Sequence, residues 1–375
     1  MTYTIYADIN FTKKIIYKNI GLTFRKLYLN EKKKIKKDIS ILLKFKDRIL
    51  NFKEKYGNEY NNFDLILAAK KQEVVLNEKI DFDIFVFGCQ LITGGFSYNT
   101  QSQIDSILNK IIVIDFDGEV LKEYISDDYH SKFISNFLCL SNYYDNPINF
   151  GEFERKDYSY ILEKNLLNFS DSGHYLEIMI NLLFTYDGDV NSTNSGYILK
   201  KVNLSKKYLI QMERFLKSLD DEQLLKFIEI IDLLFEQKVV VQTSILNNVL
   251  AVESLIIRDN ADIQKEYVLK GGMILRNYLK SRSIASNDAV KLLLEFVYNL
   301  RSDIIHGNLK KIENDLNRIN QKDPSIKELI GEIKDFKTKK LKAYGLAYHI
   351  SFLVVRCVMK YWIDNPFDVF YLKNN

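Results

Sequence analysis

The chain has 375 residues, of which 47% are hydrophobic and 13% aromatic, enough for two globular domains that each bury a core. Its formal net charge of +4 does not by itself indicate a nucleic-acid partner, so any affinity for RNA must come from local basic patches. The cysteines, Cys89, Cys139 and Cys357, lack CxxC spacing, which gives no metal site and fits a reducing cytoplasm.

The first two hundred residues are predicted to be mixed α and β. The amino terminus lacks the basic region and apolar run of a secretion signal. Helical patterns occupy residues 31–56, 131–167 and 174–185. Strand patterns occupy residues 80–87, 111–116 and 119–125, with a turn at Gly94-Gly95 after the first. Asp117-Gly118, between the last two, is expected to form a tight hairpin turn.

The carboxy-terminal part is predicted to be all helical. A polar segment without periodicity, residues 187–196, is expected to be a loop near the domain boundary. Helical patterns beyond it occupy residues 206–217, 221–237, 240–257, 263–279, 287–306, 326–336 and 341–363. We therefore predict an α+β chain, with a mixed α/β sensing or regulatory domain over residues 1–200 and an all-α bundle over residues 201–375.

The helix predicted over residues 287–306 carries the most informative pattern. Its apolar seam consists of Val290, Leu293, Val297, Leu300 and Ile304, and Gly307 supplies a stop. Arg301 and His306 stand five positions apart, about 140° around an ideal helix and roughly 7.5 Å along it. One straight helix therefore cannot close a site around both. Either the helix opens at His306, or a second copy packs against the seam and brings two Arg/His pairs together.

This pair suits cleavage of RNA without a metal. RNA supplies its own nucleophile, the 2′-hydroxyl, so an enzyme needs to align it and move protons. His306 is the candidate for proton transfer, because an unperturbed imidazole titrates near neutrality. Arg301 would hold the phosphate and offset the charge of the transition state. Ser302, Asp303 and Asn299 are candidate supporting residues.

Residues 296–307, Phe-Val-Tyr-Asn-Leu-Arg-Ser-Asp-Ile-Ile-His-Gly, resemble the arginine and histidine signature of the HEPN superfamily. The form Tyr-x-Leu-Arg-Ser-x-Ile-x-His-Gly is closest to the branch found in ApeA-like anti-phage proteins. Residues 251–255, the helical segment 263–279 and the motif helix follow the order of elements in that branch. Two features depart from the pattern: a pair of glycines, Gly271 and Gly272, interrupts a segment expected to be helical, and Ser302 follows the arginine.

The resemblance implies a HEPN domain that dimerises and acts as a metal-independent endoribonuclease, leaving a 2′,3′-cyclic phosphate end. Its implied setting is cytoplasmic antiviral defence, in which a toxin-type effector halts translation in an abortive infection. The expected partners are an RNA substrate, a second copy of the chain and an unidentified trigger that acts on the amino-terminal domain. No cofactor, metal or membrane is expected.

Two other interpretations of the motif stay open. Arg301 could pair with a nearby carboxylate such as Asp303 or Glu295 while His306 caps the helix. The domain would then be a non-catalytic HEPN module, used for dimerisation or nucleotide sensing.

Further basic residues are candidates for RNA binding. Lys310 and Lys311 directly follow the motif. His349, Arg356 and Lys360 fall within about 20° of one line on a helix and would form a phosphate-tracking stripe, or simply a solvated face. The densest cluster is the run of lysines in residues 32–37, with Arg25 and Lys26 upstream, and such runs are usually solvated.

Residues 113–118, Val-Ile-Asp-Phe-Asp-Gly, resemble the nucleophile loop of haloacid dehalogenase-type phosphatases, with Asp115 and Asp117 as the acidic pair. That family has Thr or Val after the glycine, where this chain has Glu119. The hairpin interpretation is therefore preferred, and the phosphatase remains a third alternative.

Overall fold

The structure is a computed structural model, and its described residues form two compact units. The described residues are 1–7, 9–10, 13–40, 97–144, 166–171, 174–175, 178–179, 182, 184–185, 201–202, 204–235, 241–257, 262–279, 287–306, 311, 314 and 339–367. The first unit comprises Met1–Glu123 and Leu162–Lys206, and the second comprises Tyr124–Ile161 and Lys207–Asn375. The predicted division at residue 200 differs from this one, because Tyr124–Ile161 belongs to the second unit.

The first unit is built on a mixed sheet. Its strands are β1 (Thr2–Ala7), β2 (Ile15–Tyr17), β3 (Leu22–Lys26), β4 (Ser97–Tyr98), β5 (Ile111–Phe116), β6 (Leu167–Asn168), β7 (Phe184–Thr185) and β8 (Lys201–Val202). The sheet has the order β2-β3-β5-β1-β6, with antiparallel neighbours, and β8 pairs with β1 in parallel. β4 and β7 form a separate two-stranded sheet. The predicted strand at residues 111–116 is confirmed as β5, which lies between β1 and β3 and is nearly all buried.

The predicted hairpin after β5 is wrong. Gly118–Val120 forms a short 3-10 helix instead of starting a strand, and the Asp117 side chain accepts a hydrogen bond from the backbone N–H of Glu119. The backbone N–H of Asp117 donates to the carbonyl of Gly21 over 2.9 Å. The turn signal at Asp117-Gly118 was therefore correct, but the aspartate caps a helical turn and the chain does not double back.

The first unit also contains two longer helices, α1 (residues 29–40) and α2 (Gln101–Lys110), and residues 174–175, 178–179 and 182 are helical as predicted. α1 covers the beginning of the helix predicted over residues 31–56, and the remainder lies outside the described residues. The backbone N–H of Gln103 donates to the Thr100 side chain at the start of α2, and the Gln103 side chain accepts from the backbone N–H of Thr100, forming a capping box. The strand predicted at residues 80–87, the turn at Gly94-Gly95 and the loop at residues 187–196 also lie outside the described residues.

The second unit is all α where the structure describes it. Its helices are α3 (His130–Tyr144), α4 (Lys206–Ser218), α5 (Asp221–Phe235), α6 (Val241–Ile256), α7 (Ile263–Glu266), α8 (Gly272–Leu279), α9 (Asn287–His306) and α10 (Lys339–Asp364). These confirm the predicted helices except the one at residues 326–336, which lies outside the described residues. The predicted helical stretches 131–167 and 174–185 extend too far along the sequence, because Leu167 lies in strand β6 and Thr185 lies in strand β7. The chain is therefore α+β, as predicted.

α10 forms the centre of the second unit. It packs against α6, α8, α9 and α3. Near its end Trp362 is fully buried, with edge-on contacts to Phe215 and Phe227 at centroid distances of 5.2 and 6.0 Å. Among the described residues, Ala343–Asp364 is also the segment long and apolar enough to cross a membrane, but 78% of that window is buried within the structure, as in the core helix of a globular domain.

The two glycines at residues 271 and 272 lie at the end of a π-helical turn. Tyr267–Gly271 forms a π-helical turn that joins α7 to α8, so the segment is helical as predicted. A Cβ atom at Gly271 would lie 3.6 Å from Val354, and one at Gly272 would lie 3.4 Å from Leu294. Both distances are ordinary van der Waals contacts, so an alanine would fit at either position beside α9 and α10.

Replacing Gly21 by alanine is expected to destabilise the first unit. Gly21 has a φ of 63°, and a Cβ there would lie 2.3 Å from the Asp117 carbonyl oxygen. The left-handed backbone alone costs a non-glycine residue about 1–3 kcal/mol. We expect a clear fall in the thermal unfolding midpoint, followed by circular dichroism. Gly272→Ala is the control, because its φ is helical and it should change stability by no more than about 1 kcal/mol; equal effects of the two substitutions would contradict this account.

Candidate active site

The motif helix is continuous and its seam is already covered. α9 remains helical through His306, so it does not open between the two motif residues. Val290, Leu293, Val297 and Leu300 are buried, and α9 packs against α10, α6 and the π-helical turn of the same unit. A second copy therefore cannot pack against this seam. The dimer stays a prediction that would need another face of α9. An opening of the helix at His306 also stays a prediction, because residues 307–310 lie outside the described part of the chain.

Arg301 is held by a carboxylate from another helix. Its Nη2 lies 3.3 Å from Oε2 of Glu253 on α6, and its side chain is only 21% exposed. Its guanidinium carbon lies 5.4 Å from the centre of the Tyr298 ring, within the range of a cation–π contact. The expected alternative partners are not used: Glu295 pairs with Lys291 at 3.8 Å, and Asp303 is buried without contacting the guanidinium. Pairing of Arg301 with a carboxylate was therefore anticipated, but the partner is Glu253 and not Asp303 or Glu295.

Glu253 is held in a poorly solvated position. Its side chain is 13% exposed, and burial raises the pKa of its carboxyl group, while the nearby charge of Arg301 acts to lower it. Among the described residues, Oε1 of Glu253 and Nε of Arg301 have no hydrogen-bond partner. The pair therefore satisfies each group only in part, and both keep a free hydrogen-bonding position.

Two tyrosines surround this pair. The rings of Tyr267 and Tyr298 are 5.7 Å apart. Tyr267 is fully buried, and its hydroxyl has no hydrogen-bond partner within the described part of the chain. Burial, followed by the negative charge of Glu253, raises the pKa of both phenols, so both stay neutral at physiological pH. The cluster thus combines one carboxylate, one guanidinium and two neutral phenols in a largely water-excluded position.

The supporting residues expected from the sequence divide into different environments. Asn299 accepts a hydrogen bond of 3.1 Å from the Gln264 side chain, which ties α9 to α7. Ser302 is half-buried and Asp303 is buried. Asn299 and Asp303 therefore have structural surroundings, and of the three only Ser302 lies between Arg301 and His306 on the partly exposed side of the helix.

Arg301 and His306 lie at the two edges of a partly exposed arc of α9. Counting from Arg301, Ile305 lies about 40° around the helix, Tyr298 about 60°, Ser302 about 100° and His306 about 140°. Ile305 is 52% exposed and His306 is also exposed, whereas Tyr298 and Ser302 are partly covered. The other side of the helix carries the buried seam. The two motif residues therefore border one accessible strip, although they are too far around the helix to meet directly.

The predicted basic stripe on α10 is not a surface. Arg356 is 6% exposed, and its guanidinium carbon lies 5.5 Å from the centre of the Phe352 ring. Nζ of Lys360 lies 3.8 Å from the centre of the Tyr144 ring and 3.2 Å from Asp364. His349 is half-buried. As a phosphate-tracking stripe this prediction is wrong, because the line through these residues faces the core, where aromatic rings cover the charges. Lys311 is exposed, and Lys310 lies outside the described residues.

Most of the amino-terminal basic cluster serves the fold of the first unit. Lys32 donates to Asn109 over 2.7 Å and Lys36 pairs with Asp105 at 2.6 Å, so both join α1 to α2. Lys26 donates to two backbone carbonyls. The exposed positions Lys33 and Lys37 alone resemble the solvated lysines expected of such a run.

The phosphatase alternative loses its nucleophile. The carboxylate of Asp115 accepts hydrogen bonds from Nε and Nη2 of Arg25 at 2.5 and 3.2 Å, and from the hydroxyl of Thr2 at 3.2 Å. Arg25 is itself buried and also binds Glu31. An aspartate held this firmly on a strand is a structural group, and Asp117 caps a 3-10 helix.

Comparisons with protein-family models, with curated proteins and with solved structures find no match for this chain. Within the described ranges there is no group of three or more metal-binding side chains. What can be inferred about function therefore depends on the residues and their geometry.

Glu253 and Tyr267 are residues of this site that the sequence did not single out. Glu253 lies within residues 251–255, which resemble one element of the HEPN branch, but the sequence pattern assigned the carboxylate no role of its own. A charged side chain among the buried apolar residues of α6 was the available signal, because such a charge is kept inside a protein only with a partner. Which residue was the partner depended on tertiary packing.

Replacing Glu253 by glutamine is expected to strengthen phosphate binding at Arg301. The carboxylate competes with a phosphate for the same guanidinium, and glutamine keeps its shape without its charge. We expect binding of a 2′-deoxy oligonucleotide, which cannot be cut by 2′-hydroxyl attack, to tighten by about threefold to tenfold in fluorescence anisotropy. Glu295→Gln, which removes an equal charge from α9 itself, is the control. Equal affinities of Glu253→Gln and the wild type would contradict competition between carboxylate and phosphate.

The same residue predicts a pH dependence of stability. Because the folded-state pKa of Glu253 lies above its ordinary value of 4.5, its contribution to stability is complete below that value and is lost as pH rises through the raised pKa. Glutamine does not titrate. The unfolding free energy of the wild type should therefore fall relative to Glu253→Gln as pH increases above 4.5, in urea titrations at a series of pH values. A difference that stays constant over this range would show that Glu253 has an ordinary pKa.

Proposed function

We propose that the second unit is a HEPN-type ribonuclease domain that cuts RNA by attack of the 2′-hydroxyl, without a metal. One observation carries the proposal: Arg301 and His306 border a single accessible strip on one continuous helix, with Arg301 oriented by Glu253 and Tyr298. Such a strip offers a phosphate-binding group at one edge and a proton-transfer group at the other.

The surrounding helices support this proposal. Residues 251–255 lie in α6, the segment 263–279 is helical, and α9 follows, which is the order that the HEPN resemblance implies. The Gly271-Gly272 departure is accommodated by the π-helical turn. Ser302, the other departure, lies on the strip and leaves both motif residues in place.

The chemistry follows from the types of group. The planar guanidinium of Arg301 can bind two phosphate oxygens and offset the charge that builds on them in the transition state. His306, solvent-exposed at the end of α9, can accept the 2′-hydroxyl proton or supply one to the leaving 5′-oxygen. A 2′,3′-cyclic phosphate is then the product on the upstream fragment.

A two-fold dimer would bring the separated groups together. Consider two antiparallel α9 helices related by a two-fold axis that runs perpendicular to them. If this axis passes the midpoint between residues 301 and 306, Arg301 of one copy lies opposite His306 of the other along the helix direction. The copies would meet through the accessible strip, whose exposed apolar residue is Ile305. Helices of the same chain cover the seam, so this arrangement uses another face of α9, and it gives two composite sites per dimer.

A non-catalytic HEPN module is the second candidate, and one observation favours it. The guanidinium of Arg301 already has a carboxylate partner at 3.3 Å, as a purely structural arginine would. In that case the strip would serve dimerisation or nucleotide sensing.

For the biological setting, we propose a cytoplasmic anti-phage effector of the toxin type, with the first unit receiving the trigger. This part of the proposal depends on the likeness to ApeA-like proteins alone.

The nuclease proposal predicts that the intact chain cuts RNA in the presence of a chelator. Arg301→Ala and His306→Ala should each lower cleavage of total cellular RNA by at least about a hundredfold. The new ends, determined by sequencing, should carry a 2′,3′-cyclic phosphate. Arg214→Ala and His174→Ala are matched controls, because both residues are exposed and lie away from α9 in the sequence. Cleavage that survives both motif substitutions would leave the non-catalytic module as the better account.

Mixing the two inactive variants tests the composite site. In a mixed dimer of Arg301→Ala and His306→Ala chains, one site keeps both groups and the other has neither. Co-expression at equal levels should restore about a quarter of the wild-type activity, because half of the dimers are mixed and each has one complete site. Sites formed within one chain would give no recovery.

A further inference from the structure

A cavity of about 380 Å³ lies within the second unit, between residues 124–136 and α5. The wall of this cavity includes Tyr124, Tyr129, Phe133, Asn136, Glu229 and Asp232. Phe133 and Asn136 are buried, whereas Tyr124 and Tyr129 are 37% and 48% exposed. Its volume is near the lower end of the range for small-molecule pockets, roughly 300–1,000 Å³. The cavity therefore has buried residues on its inner wall, an exposed rim that carries Tyr124, Tyr129, Glu229 and Asp232, and room for a small ligand.

A cation of the protein itself contacts two residues of the cavity wall. Nζ of Lys132 lies 3.3 Å from Oδ1 of Asp232 and 4.9 Å from the centre of the Tyr129 ring. A carboxylate beside an aromatic face is the combination that stabilises an ammonium group. The Lys132 side chain shows that this combination is present here and is geometrically accessible to a cation.

The remaining charge of the cavity is negative. Lys132 offsets Asp232, while Glu229 has no ion-pair partner among the residues that the structure describes. Glu229 lies one turn before Asp232 on α5, and both side chains face the cavity. An anionic ligand would be repelled by the unpaired carboxylate, and a neutral one would gain nothing from it. A cation would gain from Glu229 and from the aromatic rings together.

We propose that this cavity binds a free small organic cation, an ammonium or guanidinium group carried on an apolar or aromatic body. Glu229 is its charge partner, and Tyr124, Tyr129 and Phe133 surround its body. This site uses no residue of α9 and is independent of the nuclease proposal.

Calorimetry on the intact chain with three ligands of nearly equal shape tests the proposal. The cation is phenethylammonium, the neutral analogue is 2-phenylethanol and the anionic analogue is 3-phenylpropionate. The cation should bind at least about tenfold more tightly than either analogue. Equal binding of all three, or no binding of the cation at millimolar concentration, would overturn the proposal.

Three substitutions locate the binding. Glu229→Gln and Asp232→Asn should each weaken cation binding by about fivefold or more. Lys132→Met should have the opposite effect and tighten binding, because it removes the internal competitor at Asp232. Glu213→Gln, which removes an exposed carboxylate on α4 paired with Lys217, is the matched control and should change nothing. A Lys132→Met chain that unfolds at the wild-type temperature but binds the cation no more tightly would contradict the assigned site.

A peptide side chain could present the same ammonium group. The amide-capped derivative Nα-acetyl-lysine methylamide tests this source. Weaker binding than phenethylammonium is expected, since the two capping amides bring polar groups against the aromatic rim. Equal or tighter binding would overturn the assignment to a free small molecule.

Discussion

The burial of α10 is the constraint on which the second unit depends. α6, α8 and α9 all pack against this helix, so each has one face committed to the core and only the opposite face available for chemistry. α6 and α9 also contact each other, which brings Glu253 and Arg301 together although they are 48 residues apart in the sequence. The position of the motif arginine is therefore set by the packing of a helix that carries none of the motif.

The Glu253–Arg301 pair has two opposing effects. A poorly solvated guanidinium is unfavourable without a counter-charge, and the carboxylate of Glu253 supplies that counter-charge. The same carboxylate occupies the donors that a phosphate needs. Burial raises the pKa of Glu253, because it disfavours the charged form. The cluster therefore holds the arginine while Glu253 is charged, and protonation of Glu253 as pH falls would remove the competing carboxylate.

Most helical patterns were predicted well from the sequence, whereas the local hairpin after β5 and the long-range partners were not. The bounds of α9 agree with the predicted 287–306, because helical periodicity is a property of neighbouring residues. The seam of α9 was correctly identified as buried, but not which helices cover it. His349, Arg356 and Lys360 do fall on one line of α10, yet periodicity cannot tell whether such a line faces water or aromatic side chains. Glu253 was missed for the same reason, since its importance comes from a residue on another helix.

The π-helical turn at Tyr267–Gly271 sets the rotational phase between two parts of one helix. A π turn contains one residue more than an α-helical turn, and each residue corresponds to about 100° of rotation. Toward α8, the glycines at the end of the turn lie beside α9 and α10. Toward α7, the ring of Tyr267 lies beside that of Tyr298, and the Gln264 side chain donates a hydrogen bond to Asn299. A chain one residue shorter here would keep a longer regular helix, but it would turn Tyr267 away from the arginine cluster. The extra residue of the π turn acts as a fixed angular offset, which lets one helical segment pack against α9 and α10 and also contribute to the polar site.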